Sequence, residues 1–351
     1  MSFYPFDTAA FLSTSYDQTL KLWSTQKAQV SGSFSLGSKV YTHATSPIAS
    51  HLLVACGTQH PAARLVDLRS GANVHSLAGH QGAVLATSWS PRHEHILATG
   101  SVDGAVKIWD IRRAGGAIGM LDKEDSLGLY YNGLLSADGK VRVRASAKAH
   151  AGPVNSLAWT DDGSFVISAG HDRRIRVWDA ATGRNTLASF GPSIRNSQLA
   201  TMTMFTSPVG VAHPGKEVLF WPNDTEILLL DLHDGHVITR LRGTGPALSG
   251  IKGSGGAQRT VKNRITSIVW RGAGGAGGAS NGTVMGGRNL PGAIYSAHLD
   301  GQIRAWVPQL QGNDKEAEDD VTAHDEEARE RKRKAIDDAF KSLMGRKITF
   351  T

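Results

Sequence analysis

The sequence predicts an all-β fold, a β-propeller of radially arranged sheets, and three observations carry that expectation. First, one spacing recurs in four segments: a tryptophan, an aspartate six residues before it, and a serine or threonine ten residues before it. The sets are Ser13, Asp17, Trp23; Thr99, Asp103, Trp109; Ser168, Asp172, Trp178; and Ser296, Asp300, Trp306. Second, degenerate copies end at Val66-Asp67 and Leu230-Asp231, and Val66 stands 43 residues from both Trp23 and Trp109. That step lies within the ~40–45-residue period of four-stranded propeller repeats. Third, strand runs such as 83–89 and 227–230 are apolar on both faces or nearly so, as sheets packed between neighbouring sheets require.

Taken in order, the copies place blades near residues 1–25, 34–69, 80–112, 150–180, 198–233 and 261–308. The first begins almost at Met1, so its innermost strand is expected to be mostly missing. The second and fifth lack the tryptophan but keep the terminal aspartates Asp67 and Asp231. In the third, Thr99 falls on one strand, Asp103 in the hairpin turn and Trp109 on the return strand, with Gly79-His80 one strand earlier. The fourth repeats this with Ala149-His150, Ser168, Asp172 and Trp178. A His, Ser/Thr, Asp and Trp so placed form a hydrogen-bonded chain: the indole N–H only donates and an ionised carboxylate only accepts. The sets imitate hydrolase triads. Their repetition and the lack of a nucleophile-elbow motif assign them to the scaffold instead.

Propellers with this repeat, the WD repeat, mostly have seven blades, whereas about six copies are visible here. A ring one blade short exposes sheet edges. The expectation is a truncated chain, with the terminal segment near Ile348 as the other candidate for covering an edge. Three stretches interrupt the rhythm. Residues 113–148 read as a long inter-blade insert, and the glycine-rich tracts in 243–292 as mobile loops. Residues 309–351 form a charged tail with a helix near 328–344, where Ile336, Ala339, Phe340 and Leu343 share a face.

Composition excludes several function classes. Cys56 is the sole cysteine, which excludes intrachain disulfides and cysteine-based metal sites and makes a reducing compartment the default. His93 and His95 lack a second spaced pair of ligands, and the glycine tracts lack the Gly-Lys-Ser/Thr of a phosphate loop. No metal or other cofactor is expected. A net charge of +7 with 7% aromatic residues permits an acidic partner but does not predict a base-stacking surface. Direct nucleic-acid binding is therefore not expected. No apolar run of membrane-spanning length occurs, and residues 1–7 lack the features of a secretory signal. The run Arg331-Lys332-Arg333-Lys334 reads either as a nuclear import signal or as a solvated helix face. An enzyme using carboxylates in a central channel is disfavoured, because the identifiable aspartates are committed to turns.

One blade end points to a partner. Residues 96–113 close with Trp109-Asp110-Ile111-Arg112-Arg113; the positions equivalent to Arg112 are Gln26, Ala181, His233 and Gln309, with a weaker echo of the motif, lacking the tryptophan, at Val66-Asp67-Leu68-Arg69. An arginine past a strand end at the rim can pair its planar fork with a partner's carboxylate or carbonyls. The aliphatic pair, the small triplet, Asp103, Val106-Lys107-Ile108 and Trp-Asp-x-Arg-Arg together resemble the box of cullin-4 ubiquitin ligase receptors. On this resemblance Ile108, Trp109, Asp110, Arg112 and Arg113 form the surface for the damaged-DNA-binding protein 1 adaptor. Further runs extend it, among them Tyr4-Pro5-Phe6-Asp7-Thr8, Ser15-Tyr16-Asp17-Gln18-Thr19, Val54-Ala55-Cys56-Gly57-Thr58, Trp89-Ser90-Pro91-Arg92 and Gly183-Arg184-Asn185-Thr186-Leu187. From residue 3 to about 308 the chain resembles the Cockayne syndrome group A family of WD-repeat receptors, weakly within 190–300. The family's lead-in segment and one blade have no counterpart here, and the charged tail departs from it.

The resemblance implies a non-catalytic substrate receptor of a nuclear ubiquitin ligase acting in transcription-coupled nucleotide excision repair. Its partners would be the adaptor and, through it, cullin-4, with a Cockayne syndrome group B-type repair ATPase and stalled RNA polymerase II. The alternative reading is a WD-repeat scaffold of a chromatin or other multiprotein complex without a ligase role.

Overall fold

The computed structural model describes residues 1–71, 73–113, 116–123, 148–208, 212–213, 215–243, 248–252, 258–261, 263–271 and 293–306. Its strands assemble six antiparallel blades in chain order. Blade I contains β1 (Ser2–Tyr4), β2 (Asp7–Thr14), β3 (Thr19–Ser24) and β4 (Gln29–Ser35). Blade II contains β5 (Val40–Thr45), β6 (Leu53–Thr58), β7 (Ala62–Asp67) and β8 (Asn73–Ala78). Blade III contains β9 (Val84–Trp89), β10 (Ile96–Ser101), β11 (Val106–Asp110) and β12 (Ala117–Leu121). Blade IV has β13 (Val154–Trp159), β14 (Phe165–Gly170) and β15 (Arg174–Asp179), with a single bridge from Trp178 to Asn185 beyond them.

Blade V contains β16 (Phe205–Thr206), β17 (Val218–Pro222), β18 (Glu226–Asp231) and β19 (Val237–Arg242). A hairpin of β20 (Leu248–Lys252) and β21 (Gln258–Val261) precedes blade VI. Blade VI contains β22 (Ile265–Arg271), β23 (Ala293–His298) and β24 (Ile303–Trp306). The fold is thus a six-bladed WD-repeat β-propeller. Blade I does have an innermost strand, reduced to the three residues of β1.

The repeat marks the two middle strands of each blade, so fourth strands went unseen. β4, β8, β12 and β19 lie wholly or largely outside the predicted blade intervals. β12 corrects the reading of 113–148 as all insert: Val106 pairs with Leu121 and Ile108 with Gly119. The hairpin β20–β21 adds strands within 243–261 that the sequence did not mark, whereas β22 falls inside the predicted blade 261–308. The glycine-rich tract at 272–278 lies outside the described residues. The tail helix near 328–344 and the terminal segment near Ile348 lie outside the described residues.

The core lies between blades, because each sheet is apolar on both faces and must bury both. Leu12 and Leu20 of blade I meet Val40, Val54 and Val66 of blade II. Leu65 and Leu77 of blade II meet Leu97 and Trp109 of blade III. Val106 and Leu121 of blade III meet Val154, Val166 and Trp178 of blade IV. Ile167 and Val177 continue to Leu219, Leu228 and Leu230 of blade V. Phe220 and Ile227 meet Ile265, Ile268 and Ile294 of blade VI. Near the axis the strands approach so closely that a Cβ on Gly100 would lie 2.7 Å from the Val154 Cγ1. Glycine is required there for space.

A connection the sequence did not reveal ties the centre together. The segment entering blade V pairs Asn196 and Asn155 reciprocally through their amides, at 2.7 and 2.9 Å. Beyond it, the Thr201 hydroxyl lies 2.8 Å from the Leu85 carbonyl and 3.3 Å from that of Tyr41. One residue thereby links blade V to the innermost strands of blades II and III.

Candidate docking site

Docking by a rigid scaffold requires blades that do not shear, and the hydrogen-bonded sets supply that rigidity. In blade III the Trp109 indole donates to the Thr99 hydroxyl at 2.7 Å. That hydroxyl lies 2.7 Å from His80 Nε2, and His80 Nδ1 lies 3.2 Å from Asp103 Oδ2. With the ring neutral, Asp103 accepts from Nδ1–H, Nε2 accepts from the Thr99 hydroxyl, and the Thr99 oxygen accepts from the indole. Burial pushes the Asp103 carboxyl up, but hydrogen bonds from His80 and from the Gln81 and Ala105 amides outweigh it and hold it at about 2.

Blade IV repeats the chain. Trp178 donates to Ser168 at 2.9 Å, His150 Nε2 is 2.8 Å from that hydroxyl, and Nδ1 is 2.9 Å from Asp172. Arg176 adds an ion pair to Asp172 at 2.9 Å. A Cβ on Gly170 would lie 2.6 Å from His150 Nδ1, so the imidazole sits where only glycine leaves room. Thr99 and Ser168 are both 0% exposed and already hydrogen-bonded. Neither hydroxyl can meet a substrate, which removes the chemical content of the triad-like pattern.

Blades I and VI depart from the pattern. Trp23 donates to Ser13 at 2.7 Å, but Asp17 turns to Thr19 and Lys21. In blade VI Trp306 donates to Ser296 at 2.8 Å, and the imidazole comes from His298, two residues further along the same strand. Asn263 occupies the place of the earlier histidine and donates to Asp300 at 2.6 Å. Reading Asn263 as a histidine substitute was possible only once His298 was seen to supply the ring.

Arg112 lies just beyond β11, at the strand ends where β9–β10 and β11–β12 also turn. Its side chain is 65% exposed. The fork is already engaged within the chain. Nε donates to Asp110 Oδ1 at 3.0 Å and Nη2 to Oδ2 at 2.8 Å. Asp110 also accepts the Arg112 backbone N–H at 3.0 Å, and this guanidinium contact holds its carboxyl at about 2. The turn itself is shared: Asp67, Asp179 and Asp231 each accept an amide two residues on. The intramolecular pair therefore orients Arg112 while leaving its Nη1 edge for an outside acceptor. Arg113 is exposed beside it, Ile108 is half-buried and Trp109 is buried.

Next to Arg112 a cavity of about 530 Å³ is lined by Ile48, Arg92, His93, Glu94 and His95. A second, of about 610 Å³, runs between blades III and IV along Ile96, Ile108, Ile118, Trp159 and Phe165. Glu94 bridges blades II and III by accepting from the Ser50 amide and hydroxyl, at 3.2 and 3.3 Å. The two cavities share Arg92, His93 and Ile96 and together make a groove walled by blades II, III and IV, which no local sequence pattern marks.

Fold and site together define a class, the WD-repeat β-propeller scaffold. The family model described as "WD domain, G-beta repeat" matches residues 71–110 and 141–179. The chain is 35% identical to WD repeat-containing protein ATCSA-1 of Arabidopsis thaliana, over 53% of each chain. It is 27% identical to Radiation-sensitive protein 28 of Saccharomyces cerevisiae, over 51% of this chain and 37% of that protein. It is also 30% identical to Ribosome biogenesis protein YTM1 of Phaeosphaeria nodorum, over 50% of this chain and 36% of that one. The chain thus spans from about a third to about half of the length of these relatives. Among solved structures, a chain in the crystal structure of the mitotic checkpoint complex superimposes with a TM-score of 0.55 at 17% identity, covering 85% of this chain and 70% of that one. That likeness concerns the fold alone.

Proposed function

We propose that this protein is a non-catalytic docking subunit, the substrate receptor of a nuclear cullin-4 ubiquitin ligase acting in transcription-coupled nucleotide excision repair. The observation that carries the reading is Arg112, exposed at the end of β11, oriented by Asp110 and lining a largely polar cavity that shares Arg92, His93 and Ile96 with the more apolar cavity between blades III and IV. The likeness to ATCSA-1 supports it. The damaged-DNA-binding protein 1 adaptor would engage the groove, with Ile108, Arg112 and Arg113 as contacts and with Trp109 and Asp110 holding them in place. The receptor would then raise the local concentration of a client near the ubiquitin-charged enzyme. A Cockayne syndrome group B-type ATPase and stalled RNA polymerase II are the partners expected of that role.

The test is co-elution of the purified chain with the adaptor, followed by titration of Arg112→Ala. Alanine keeps the backbone amide that closes the Asp110 turn, so the blade stays folded. Losing one charge-assisted contact from the Nη1 edge should weaken docking about tenfold or more. Parent-like affinity in the variant overturns the assignment of Arg112. Absence of co-elution by the parent favours the second reading, a WD-repeat scaffold of another multiprotein complex, which the likeness to a ribosome biogenesis protein supports.

A further inference from the structure

The opposite ends of the strands carry a separate surface. Arg112 lies where β11 turns to β12, so the β10–β11 and β14–β15 turns, and their counterparts in blades V and VI, lie at the other end of the sheets. On that end the acids are mostly committed to internal pairs. Asp172 is held by His150 and Arg176, Asp300 by Asn263 and Arg304, and Glu226 by Arg240 and Arg242. Arg173, Arg174 and Arg195 are exposed and Arg264 half-buried. In the described residues their side chains make no hydrogen bond or ion pair, and only their backbone groups are engaged.

Arg195 and Arg264 line one cavity of about 490 Å³ between blades V and VI, together with Gln198, Asp224, Thr225 and Asn263. The Gln198 carbonyl accepts from His171 Nε2 at 2.8 Å, which joins this cavity to the turn bearing Arg173 and Arg174. At the turn position after the aspartate, blades III and VI use Gly104 (φ 82°) and Gly301 (φ 79°), whereas blade I holds Gln18 at φ 71° and blade IV Arg173 at φ 57°. A left-handed backbone favours glycine over a residue with a Cβ, so glycine would fit at Arg173.

We infer that this face binds an acidic, extended segment of a protein partner, whose carboxylates pair with Arg195 and Arg264 in the cavity and with Arg173 and Arg174 on the adjoining turn. The guanidinium fork matches a carboxylate two bonds at a time. Spreading four such forks over the ends of three blades suits several carboxylates along a strand-like segment better than one concentrated phosphate. The inference does not rest on the ligase reading.

The test is fluorescence anisotropy of the whole chain with a labelled peptide of alternating Glu and Ser, alongside its Gln–Ser counterpart, a singly phosphorylated Ser–Gly peptide and a short oligothymidine. The Glu–Ser peptide should bind, more weakly as salt rises, and the Gln–Ser peptide should not. Arg195→Ala with Arg264→Ala should raise the dissociation constant about tenfold or more, and Asp224→Asn should lower it. Arg173→Gly should weaken binding while raising the unfolding temperature, which separates lost contact from lost fold. Arg112→Ala should leave peptide binding unchanged, so failure here is distinguishable from failure at the adaptor face. Equal binding of the Gln–Ser peptide, tighter binding of the phosphopeptide or oligothymidine, or parent-like affinity in the double variant would overturn the assignment.

Discussion

Replacing Thr99 by valine tests whether the buried chains hold the blades. Valine keeps the volume, so no cavity opens. It removes the oxygen that accepts from Trp109 and the hydroxyl proton that His80 Nε2 accepts, at 2.7 Å each. Trp109 is 1% exposed and the His80 side chain is 0% exposed, so water cannot replace the lost partner at either. Leaving a buried donor or acceptor unsatisfied costs about 1–3 kcal/mol. Two such groups give about 2–6 kcal/mol. Ser13→Ala is the internal control, because Ser13 is half-buried and serves Trp23 without an imidazole behind it. Its loss should cost about 0.5–1.5 kcal/mol. Urea denaturation followed by tryptophan fluorescence and far-ultraviolet circular dichroism measures both. The double variant His80→Phe with Thr99→Val should cost less than the sum of the singles, because the two share one network. A Thr99→Val shift no larger than that of Ser13→Ala would refute the reasoning.

Acid should destabilise the chain at its buried imidazoles, among them His43, which lies 2.8 Å from the Ser2 hydroxyl and 2.9 Å from that of Thr14; His150 and His298 are held below the ordinary imidazole range by burial too. Burial, helped by the N-terminal ammonium, holds His43 down at about 3 against an ordinary 6.5. The unfolded chain takes up the proton more readily. Its contribution is therefore complete above pH 6.5 and lost as pH falls from there towards 3, by up to about 1.4 kcal/mol per pH unit. His43→Gln should flatten the stability–pH curve in that window, and an unchanged slope would count against the assignment. Burial also pushes the Cys56 thiol up to about 12. Ellman's reagent should accordingly leave it unmodified in the native chain and titrate it after denaturation; rapid native labelling would show that blades I and II open there. Gly100→Ala should destabilise by about 1–3 kcal/mol through overpacking against Val154. Pairing it with Val154→Ala should recover part of that in thermal melts.

What the sequence determined by itself was the middle of each blade. A Ser or Thr, an Asp and a Trp within eleven consecutive residues describe one antiparallel hairpin, whose turn brings hydroxyl and indole together through local geometry alone. Thr99 opposite Lys107, with Trp109 opposite Leu97, is the register that spacing demands. Outer strands were illegible because they sit at the rim with one paired edge and little to bury: β4, Gln-Val-Ser-Gly-Ser-Phe-Ser, offers only Val30 and Phe34 as large apolar residues on its one non-serine face. Tertiary structure alone decided everything that needed two blades at once. It brought Thr201 to the carbonyls of Tyr41 and Leu85, and Arg195 into one cavity with Arg264 across many intervening residues. The physical reason is the same in each case: a hairpin is specified by neighbours in the chain, whereas a contact between blades depends on how the sheets pack, and no local pattern records that.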